Sequence, residues 1–458
     1  MTDENVSDPL CRFIAASRYE DLPATTIDSA KRALLDATGV MYAASGLSAD
    51  IVPFVDLARG SGGPCVLLGF EATSSVAMAA FANGAMAHAL DFEDAFDPAP
   101  CHPNASLVPA AIAIAQSSGS VNGRDFLTAV AVGCDLVCRL GLSVRQPLED
   151  GGWYPPPILG AFGATAAAGR LLGLAPERIR DALSLTLCQV TAPGEIRHSR
   201  DTVVRAIREA FPAQAAVLSA LLARSGVKGF EAPLEGRDGF YRLYAAGHYD
   251  PRALLDDLGS RFFIEQLSFK PWPACRGTHA YIELALALME SQRLDWRSID
   301  RVELRTADIH RMLAEPVERK RSPETVIDAK FSLFFVVALA LVRGRVTLDD
   351  FAAPALQDPD IRTLATRVHV AVRPDWGRDR AAAGQLSITL KDGRVLTGEV
   401  AQALGGPAAP LSTAALVEKF VDCCGRAARP LRPAAARALA ARILAIDKVE
   451  DVGHVFRP

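Results

Sequence analysis

Apolar positions in the first part of the chain recur with helical spacing, three or four residues apart. The pattern is clearest in segments 22–46, 74–90, 106–119, 124–142, 160–174, 176–190 and 210–226. These segments are rich in Ala and Leu, which favour helices, and small side chains allow helices to pack closely. The pattern therefore predicts a large helical domain over residues 1–258.

The pattern changes near residue 260, where short stretches of β-forming residues appear between helical segments. The predicted strands are residues 300–307, 366–374, 384–393 and 394–402, and the last two form a hairpin with Asp392-Gly393 in its turn. A Pro/Gly-rich crossing at 405–412 precedes further helical pattern. We predict a mainly α protein, with a smaller α+β domain at 259–405 and a helical segment at 406–458 that returns to the first domain.

Composition narrows the class of protein. A chain of 458 residues exceeds what one core usually serves, and a net charge of −4 argues against coating nucleic acid or an anionic membrane. The N-terminus has no signal-peptide pattern, and apolar runs such as 334–342 fall short of the ~20 residues that span a bilayer. The nine cysteines are scattered without zinc-site spacing. These features predict a soluble cytoplasmic protein with reduced thiols.

The first candidate cluster lies in residues 87–106 and combines four acids with two histidines: His88, Asp91, Glu93, Asp94, Asp97 and His102. A carboxylate and a histidine are suited to moving a proton beside a substrate carboxylate. Asn104 or Ser106 is predicted to cap the helix that follows. Ordinary caps and loop salt bridges are one alternative. A metal site is another, although HxH and HExxH spacings are missing.

The second cluster, in residues 195–211, is basic and contains Arg197, His198, Arg200, Arg205 and Arg208. Arginines bind carboxylates through two parallel hydrogen bonds and stay charged. The alternative is a solvated helix face paired with Asp201 and Glu209.

The third cluster, in residues 269–286, gathers Lys270, Cys275, Arg276 and His279 around two prolines, before a helix predicted to begin near Thr278. A nucleophilic Cys275 assisted by His279 is an alternative to acid/base use. The glycine-rich stretch 60–69 has neither the P-loop lysine nor dinucleotide spacing, so no nucleotide cofactor is predicted.

These clusters, in this order, resemble the MmgE/PrpD family, which includes 2-methylcitrate dehydratase, cis-aconitate decarboxylase and iminodisuccinate epimerase. The resemblance covers most of the chain and is carried by NGAMAHALDFEDAFDPAPCHPNAS, GGWYPPPILGAFGATAAAGRLLGL, FKPWPACRGTH and DAKFSLFFVVALALVRGRVTLDDF. It implies a helical domain, an α+β lid, a site between them and a homodimer. It also implies proton transfer next to a carboxylate of a small di- or tricarboxylate, with no metal or organic cofactor.

By motif position, Asp91, His102, Lys270 and His279 match residues associated with the family's site. Other positions depart from it. Tyr154 replaces a histidine, Arg205 a lysine and Phe335 a tyrosine, and Cys275 stands where the decarboxylase branch has histidine. An arginine keeps a carboxylate anchor but gives up no proton. These changes disfavour cis-aconitate decarboxylation and a simple copy of 2-methylcitrate dehydration.

The resulting hypothesis is a cofactor-independent lyase with no metal. The predicted catalytic residues are Asp91, His102, Tyr154, Lys270 and His279, and the predicted substrate-binding residues are Arg205, Cys275 and Arg276. Two proton-transfer groups on opposite faces of the substrate would instead suit an epimerase or isomerase of a dicarboxylate such as iminodisuccinate. A third alternative is a catalytically lapsed carboxylate-binding or scaffold protein.

Overall fold

The computed structural model describes residues 5–199 and 202–457. The chain divides into two compact units. The first holds the described residues up to Ala89, those within Glu93–Leu267 and those from Ser412 onward; the second holds Leu90–Phe92 and Ser268–Leu411. Helices predominate, which confirms the mainly α class.

The first unit is built from helices, joined in places by single 3-10 turns. Its helices before residue 268 are α1 Ser7–Ala16, α2 Ala24–Leu47, α3 Val52–Arg59, α4 Val76–His88, α5 Pro103–Ser117, α6 Gly123–Ser143, α7 Pro155–Leu171, α8 Pro176–Leu187, α9 Val204–Ile207, α10 Ala210–Arg224, α11 Phe240–Ala245 and α12 Pro251–Leu255. A two-stranded antiparallel ribbon pairs β1 Cys65–Val66 with β2 Thr73–Ser74.

Small residues set how closely these helices approach. A Cβ added to Gly163 of α7 would lie 2.4 Å from the carbonyl oxygen of Gly133 in α6. One added to Gly84 of α4 would lie 2.6 Å from the carbonyl oxygen of Glu209, next to α10. Any larger side chain would push these helices apart, so the glycines fix where the polar residues near the ends of α4 and α10 can meet.

Prolines open several helices without breaking them. Pro155, Pro156 and Pro157 form the first turn of α7, where the backbone N–H groups have no intrahelical acceptor to lose. Tyr154 is the residue that precedes this turn, and its backbone N–H donates to the carbonyl of Ala192 at 2.7 Å. The proline run therefore holds Tyr154 in an extended conformation at the helix N-terminus.

The second unit joins a four-stranded sheet to helices. Its elements are α13 His279–Gln292, β3 Ile299–Ala307, α14 Val317–Arg321, α15 Val326–Lys330, α16 Leu333–Arg343, α17 Ala353–Leu356, α18 Pro359–Ala365, β4 Val368–Arg373, β5 Gly384–Leu390 and β6 Val395–Val400. The strand order is β4-β3-β5-β6. The predicted β5–β6 hairpin is confirmed and antiparallel, whereas β3 pairs with β4 in parallel.

One face of this sheet packs on α13 and α16. Val302 and Leu304 of β3 and Ile388 of β5 are buried with apolar side chains of both helices. Gly384 and Gly398 lie under α13, because an added Cβ would meet Tyr281 at 3.0 Å and Leu284 at 2.7 Å respectively. The start of α13, where His279 lies, is thus fixed against a rigid sheet.

The chain ends in α19 Thr413–Gly425 and α20 Pro433–Leu444, which belong to the first unit. Phe420 of α19 packs over Gly39 of α2, and Lys419 Nζ lies 2.7 Å from Oδ1 of Asp36. These contacts join the two ends of the chain within one unit.

Two helical stretches are long and apolar enough to cross a membrane, by length and composition alone. They are α6 Gly123–Ser143 and the stretch Val204–Arg224, which comprises α9 and α10. The pair Ala24–Leu47 and Ala49–Arg59, bent by 91°, would be a third if it were one span. Within the apolar windows of the first two stretches, however, 89% and 72% of the residues are buried in the protein. Packing against other helices therefore accounts for their composition.

Candidate functional site

The structure divides the predicted site residues between the two units. The first unit contains His102, Tyr154 and Arg205, and the second contains Asp91, Lys270, Cys275, Arg276 and His279. Each unit holds its own cluster of buried polar side chains, and each cluster is described by itself.

His102 is held at the beginning of α5. It is the N-cap residue, so the prediction that Asn104 or Ser106 caps this helix is wrong. Both lie inside the first turns, because Pro103 already provides the first helical position. Their side chains bind buried acids instead: Asn104 Nδ2 donates to Oδ2 of Asp94 at 3.1 Å, and Ser106 Oγ donates to Glu209.

The imidazole of His102 is oriented by two acceptors. Its Nδ1 lies 2.9 Å from the carbonyl oxygen of Asp94 and 3.0 Å from Oε1 of Glu93. A carbonyl oxygen only accepts, so Nδ1 carries the proton and Nε2 holds the lone pair of the neutral ring. The Glu93 carboxylate is fully buried, whereas the His102 side chain is 18% exposed. His102 is therefore an accessible base backed by a buried acid.

Behind this pair lies a second histidine and a buried arginine. His88, the last residue of α4, has Nδ1 2.5 Å from Oε1 of Glu93, while its Nε2 contacts Nη1 of Arg208. Nε of Arg208 lies 3.0 Å from Oε1 of Glu209. Burial raises the pKa of Glu209, with the Arg208 charge opposing that rise. The cluster comprises His88, Glu93, His102, Arg208 and Glu209, and we call it the His102 cluster.

Tyr154 and the basic segment adjoin the His102 cluster. The guanidinium carbons of Arg208 and Arg197 lie 5.1 and 5.9 Å from the centre of the Tyr154 ring. Arg205 is only 6% exposed and Arg208 1%, so a solvated helix face is the wrong interpretation for these two residues. Arg200 and Asp201 lie outside the described residues.

A cavity of about 230 Å³ within the first unit reaches Arg208. Its walls are mostly apolar and include Pro157, Val190, Ile196, Val204 and Phe211. One water occupies about 30 Å³ of liquid volume, so the cavity has room for part of a small organic molecule.

In the second unit, Asp91 and Lys270 form a buried ion pair. Lys270 Nζ lies 2.6 Å from Oδ1 of Asp91 and 3.1 Å from its backbone oxygen, and both side chains are almost completely buried. Lys330 Nζ donates to the carbonyl of Leu90. Two lysines thus bind one short backbone segment, which bends through a left-handed conformation at Asp91 (φ 48°).

His279, the first residue of α13, is fully buried in the second unit. Its Nε2 lies 3.0 Å from the carbonyl oxygen of Ala274, which places the proton on Nε2. Among the described residues, Nδ1 of this ring has no hydrogen-bond partner. Burial is the largest cause that holds the pKa of His279 well below its usual range, and the positive charges of Arg276 and Lys270 lower it further. His279 is consequently a neutral ring with an available acceptor nitrogen.

Arg276 and Cys275 occupy the turn before α13. Arg276 donates to the carbonyls of Leu404 and Ala403 at 2.8 and 3.0 Å, so part of its guanidinium closes a loop. Cys275 is partly buried, and its backbone N–H donates to the carbonyl of Lys330. The predicted binding of a substrate carboxylate by these two side chains stays a prediction.

Sequence reasoning did not assign roles to several residues that the structure brings into the clusters. These are His88, Glu93, Arg208, Glu209 and Lys330. The signal was present for His88 and Glu93, which flank Asp91 in one short polar segment, and for Lys330 in the segment DAKFS. No spacing rule pairs His88 with Arg208, because 120 residues separate them.

The chain is similar to known proteins along most of its length. The MmgE/PrpD N-terminal domain matches residues 8–252, and the MmgE/PrpD C-terminal domain matches residues 272–443. The cis-aconitate decarboxylase-like protein oryM of Aspergillus oryzae is 27% identical over 88% of this chain and 87% of its own length.

Two further relatives represent the two named activities. Human cis-aconitate decarboxylase is 28% identical over 83% of this chain and 76% of its own length. The 2-methylcitrate dehydratase of Escherichia coli is 26% identical over 82% of this chain and 80% of its own. With both domain models matched and lyases among its relatives, the chain belongs to the MmgE/PrpD family and is an enzyme of that type.

Proposed function

We propose that this protein is a lyase that transfers a proton at a carbon next to a carboxylate of a small di- or tricarboxylate. Its relatives are named as a decarboxylase of cis-aconitate and a dehydratase of 2-methylcitrate, both of which are tricarboxylates. Either reaction builds negative charge on carbon next to a carboxylate. The proposal therefore needs a proton-transfer group and a source of positive charge.

The observation that carries the proposal is the His102–Glu93 pair. Nε2 of His102 is the nitrogen left for substrate, and the carboxylate at Nδ1 stabilises the imidazolium after Nε2 takes a proton. In a dehydration, His102 takes the proton from carbon, and the C–H electron pair forms the C=C bond as the C–O bond breaks. The departing hydroxide takes a proton from the second proton-transfer group and leaves as water. In a decarboxylation, the C–C bond to CO₂ breaks, its electron pair stays on carbon, and protonated His102 donates.

The second unit supports the electrostatic part of the proposal. Lys270 is a buried cation, and charge in a low-dielectric environment acts more strongly on a developing anion than it would in water. Asp91 at 2.6 Å holds the ammonium group in place. His279 offers its Nδ1 as a hydrogen-bond acceptor. Arg205 and Arg276 are assigned to carboxylate binding, with Cys275 lining the same turn as Arg276.

The proposal extends to properties that follow from the family resemblance. The second unit acts as a lid, the enzyme is a homodimer in the cytoplasm, and neither a metal nor an organic cofactor takes part. A mass near 49 kDa by analytical ultracentrifugation, the mass of one chain, would contradict the dimer. Activity lost in EDTA and restored by a divalent metal would contradict metal independence.

Proton NMR in D₂O provides the direct test. The protein is incubated with 2-methylcitrate, citrate, cis-aconitate and iminodisuccinate, and the α-proton signal and products are followed. We expect loss of an α-proton signal, or the appearance of an eliminated or decarboxylated product, with at least one substrate. Exchange with inversion and no bond cleavage would favour the epimerase. Inert spectra from natively folded protein across a broader carboxylate panel would contradict the proposal and favour a binding protein.

Tyr154 stands where the family has a histidine, so its role bears on whether the reaction of this protein differs from the reactions of the named relatives. We propose it as a second proton-transfer group, and its place beside the guanidinium groups of Arg208 and Arg197, next to the His102 cluster, supports this role. Tyr154→Phe removes only the hydroxyl. A lower kcat at an unchanged KM supports proton transfer by Tyr154, whereas unchanged kcat and KM would remove it from the mechanism.

A further inference from the structure

The His102 cluster contains a line of hydrogen bonds and ion pairs that ends at the proposed base. From the interior outward, the line runs through Glu209, Arg208, His88 and Glu93 to His102. All but His102 are at most 1% exposed. Its members come from α4, the segment after α4, the start of α5 and the segment that leads into α10. Tertiary packing therefore assembles the line from four parts of the chain.

Arginine fixes the direction of the first hydrogen bonds. A guanidinium has donors and no acceptor, and it does not lose its proton in proteins. Nε2 of His88 faces Nη1 of Arg208, so Nε2 must accept and the ring proton must be on Nδ1. Nδ1 then donates to Oε1 of Glu93 at 2.5 Å. A second proton on His88 would place an N–H against the arginine, so His88 is held neutral.

The carboxylate of Glu93 consequently accepts the Nδ1–H of His88 and lies beside His102. Its Oε1 is 3.0 Å from Nδ1 of His102, whose proton is donated to the carbonyl of Asp94. Hydrogen bonds to a carboxylate favour its ionised form, which offsets the cost of burying that charge. An ionised Glu93 can stabilise the imidazolium that forms when Nε2 of His102 takes a proton from the substrate. Glu209 also interacts electrostatically with His102.

We infer that Arg208 and His88 are positioning residues for His102: they fix the proton of His88 on Nδ1, keep Glu93 ionised, and so hold His102 as a basic ring with Nε2 available to substrate. The inference rests on the role proposed above for His102 in proton transfer. Its structural content, two histidines with protons on Nδ1 around one carboxylate, does not depend on which substrate is used.

Nitrogen NMR tests the predicted proton positions on His88 and His102 without any substrate. Protein carrying ¹⁵N in its histidine rings gives long-range ¹H–¹⁵N correlations that distinguish a protonated from an unprotonated ring nitrogen. The chain has eight histidines, and His88→Gln and His102→Gln identify the two signals of interest. We expect both rings to carry the proton on Nδ1 at pH 8, and His88 to stay neutral between pH 5.5 and 8.

Variants then test whether Glu93 acts on His102 and whether Arg208 acts on His88. In Glu93→Gln, which keeps the side-chain shape but removes the charge, the titration midpoint of His102 should fall by about one pH unit or more. Arg208→Met should let His88 take up a second proton within the same pH range, and Arg208→Lys, which keeps a charged donor, should restore the neutral ring. His248→Gln, at an exposed histidine of the same unit, should leave both titrations unchanged.

The outcomes separate this inference from the proposed function. A proton on Nε2 of either ring in the wild-type protein overturns the inference even if the Glu93 and Arg208 variants do not fold. An unchanged His102 midpoint in folded Glu93→Gln overturns it as well. Failure of every carboxylate in the exchange experiment would instead remove the proposed function, while the nitrogen spectra would still report whether the relay of hydrogen bonds exists.

Discussion

Nζ of Lys270 lies 2.6 Å from Oδ1 of Asp91, and neither side chain is more than 1% exposed. The same ammonium also donates to the backbone oxygen of Asp91, and Lys330 donates to the preceding carbonyl, that of Leu90. Although it is 176 residues or more from Ser268 in sequence, the segment Leu90–Phe92 therefore belongs to the α+β unit. The buried pair fixes Asp91 in its left-handed conformation, where a short polar side chain is tolerated.

This pair predicts different losses of stability for two lysine substitutions. Lys270→Met leaves the Asp91 carboxylate without the ammonium beside it, and we expect the free energy of unfolding to fall by about 3–5 kcal/mol. Lys330→Met removes a donor to one carbonyl oxygen, for an expected loss of about 1–3 kcal/mol. Urea unfolding measures both. The double variant Lys270→Met/Asp91→Asn should lose less than the sum of its single changes, and strict additivity would contradict the pair.

His102 is expected to control the rate of the chemical step. His102→Gln keeps a hydrogen bond from the side chain but removes the base, so kcat should fall by about 10²–10⁴ while KM changes little. Steady-state kinetics with the substrate found by NMR measures the change, and His248→Gln serves as the matched control. If His102→Gln altered KM alone, His102 would be a binding residue and not the proton-transfer group.

Asp94 predicts that stability falls as pH rises. Burial raises the pKa of Asp94 to about 8, with the neighbouring charges of Asp36 and Glu93 adding to the rise. The native carboxyl thus keeps a proton that the unfolded chain releases near pH ~4. Between about pH 4 and pH 8 the unfolded state binds fewer protons, which lowers stability by up to about 1.4 kcal/mol per pH unit.

Asp94→Asn should remove this dependence, because the amide cannot ionise and its oxygen can still accept from Asn104. Unfolding curves in urea at pH 5, 6 and 7 would measure the slope. The exposed Glu450→Gln should keep the wild-type slope. An identical slope in Asp94→Asn would mean that the Asp94 carboxyl is already ionised in the native protein.

The lowered pKa of His279 predicts that the protein loses stability as the pH falls below about 6.5. Because burial and nearby cations lower its pKa, the native ring stays neutral while the unfolded ring takes up a proton below pH ~6.5. The unfolded state then binds more protons, so stability falls as pH drops from about 6.5 toward the lowered native pKa. His279→Gln should reduce the dependence of the thermal midpoint on pH between 7 and 5.5. His248→Gln should show the wild-type dependence; a steeper response in His279→Gln would contradict a neutral His279.

Local patterns were sufficient for several features of this protein. Helical periodicity placed α2, α4 and α8 to within a few residues, and alternating residues around Asp392-Gly393 placed the hairpin of β5 and β6. The start of α13 at His279 followed from its local sequence too. These features depend on interactions between residues close in the chain, which a single sequence records directly. The cap of α5 did not follow from the local sequence. The helix begins at Pro103 with His102 as its N-cap residue, so the side chains of Asn104 and Ser106 are left to make tertiary contacts.

The sequence by itself determined which residue types are available for chemistry: the acids and histidines of 87–106, the arginines of 195–211 and the loop of Lys270. Only the tertiary structure decided their partners. It assigned Asp91 to Lys270 in one unit and His102 to Glu93, His88 and Arg208 in the other. The physical reason is that a buried charge must find an opposite charge or a hydrogen-bond donor wherever the packed backbone brings one within reach. Glycines set that approach: Gly84 lets α4 come close to Glu209, which is 125 residues away in sequence.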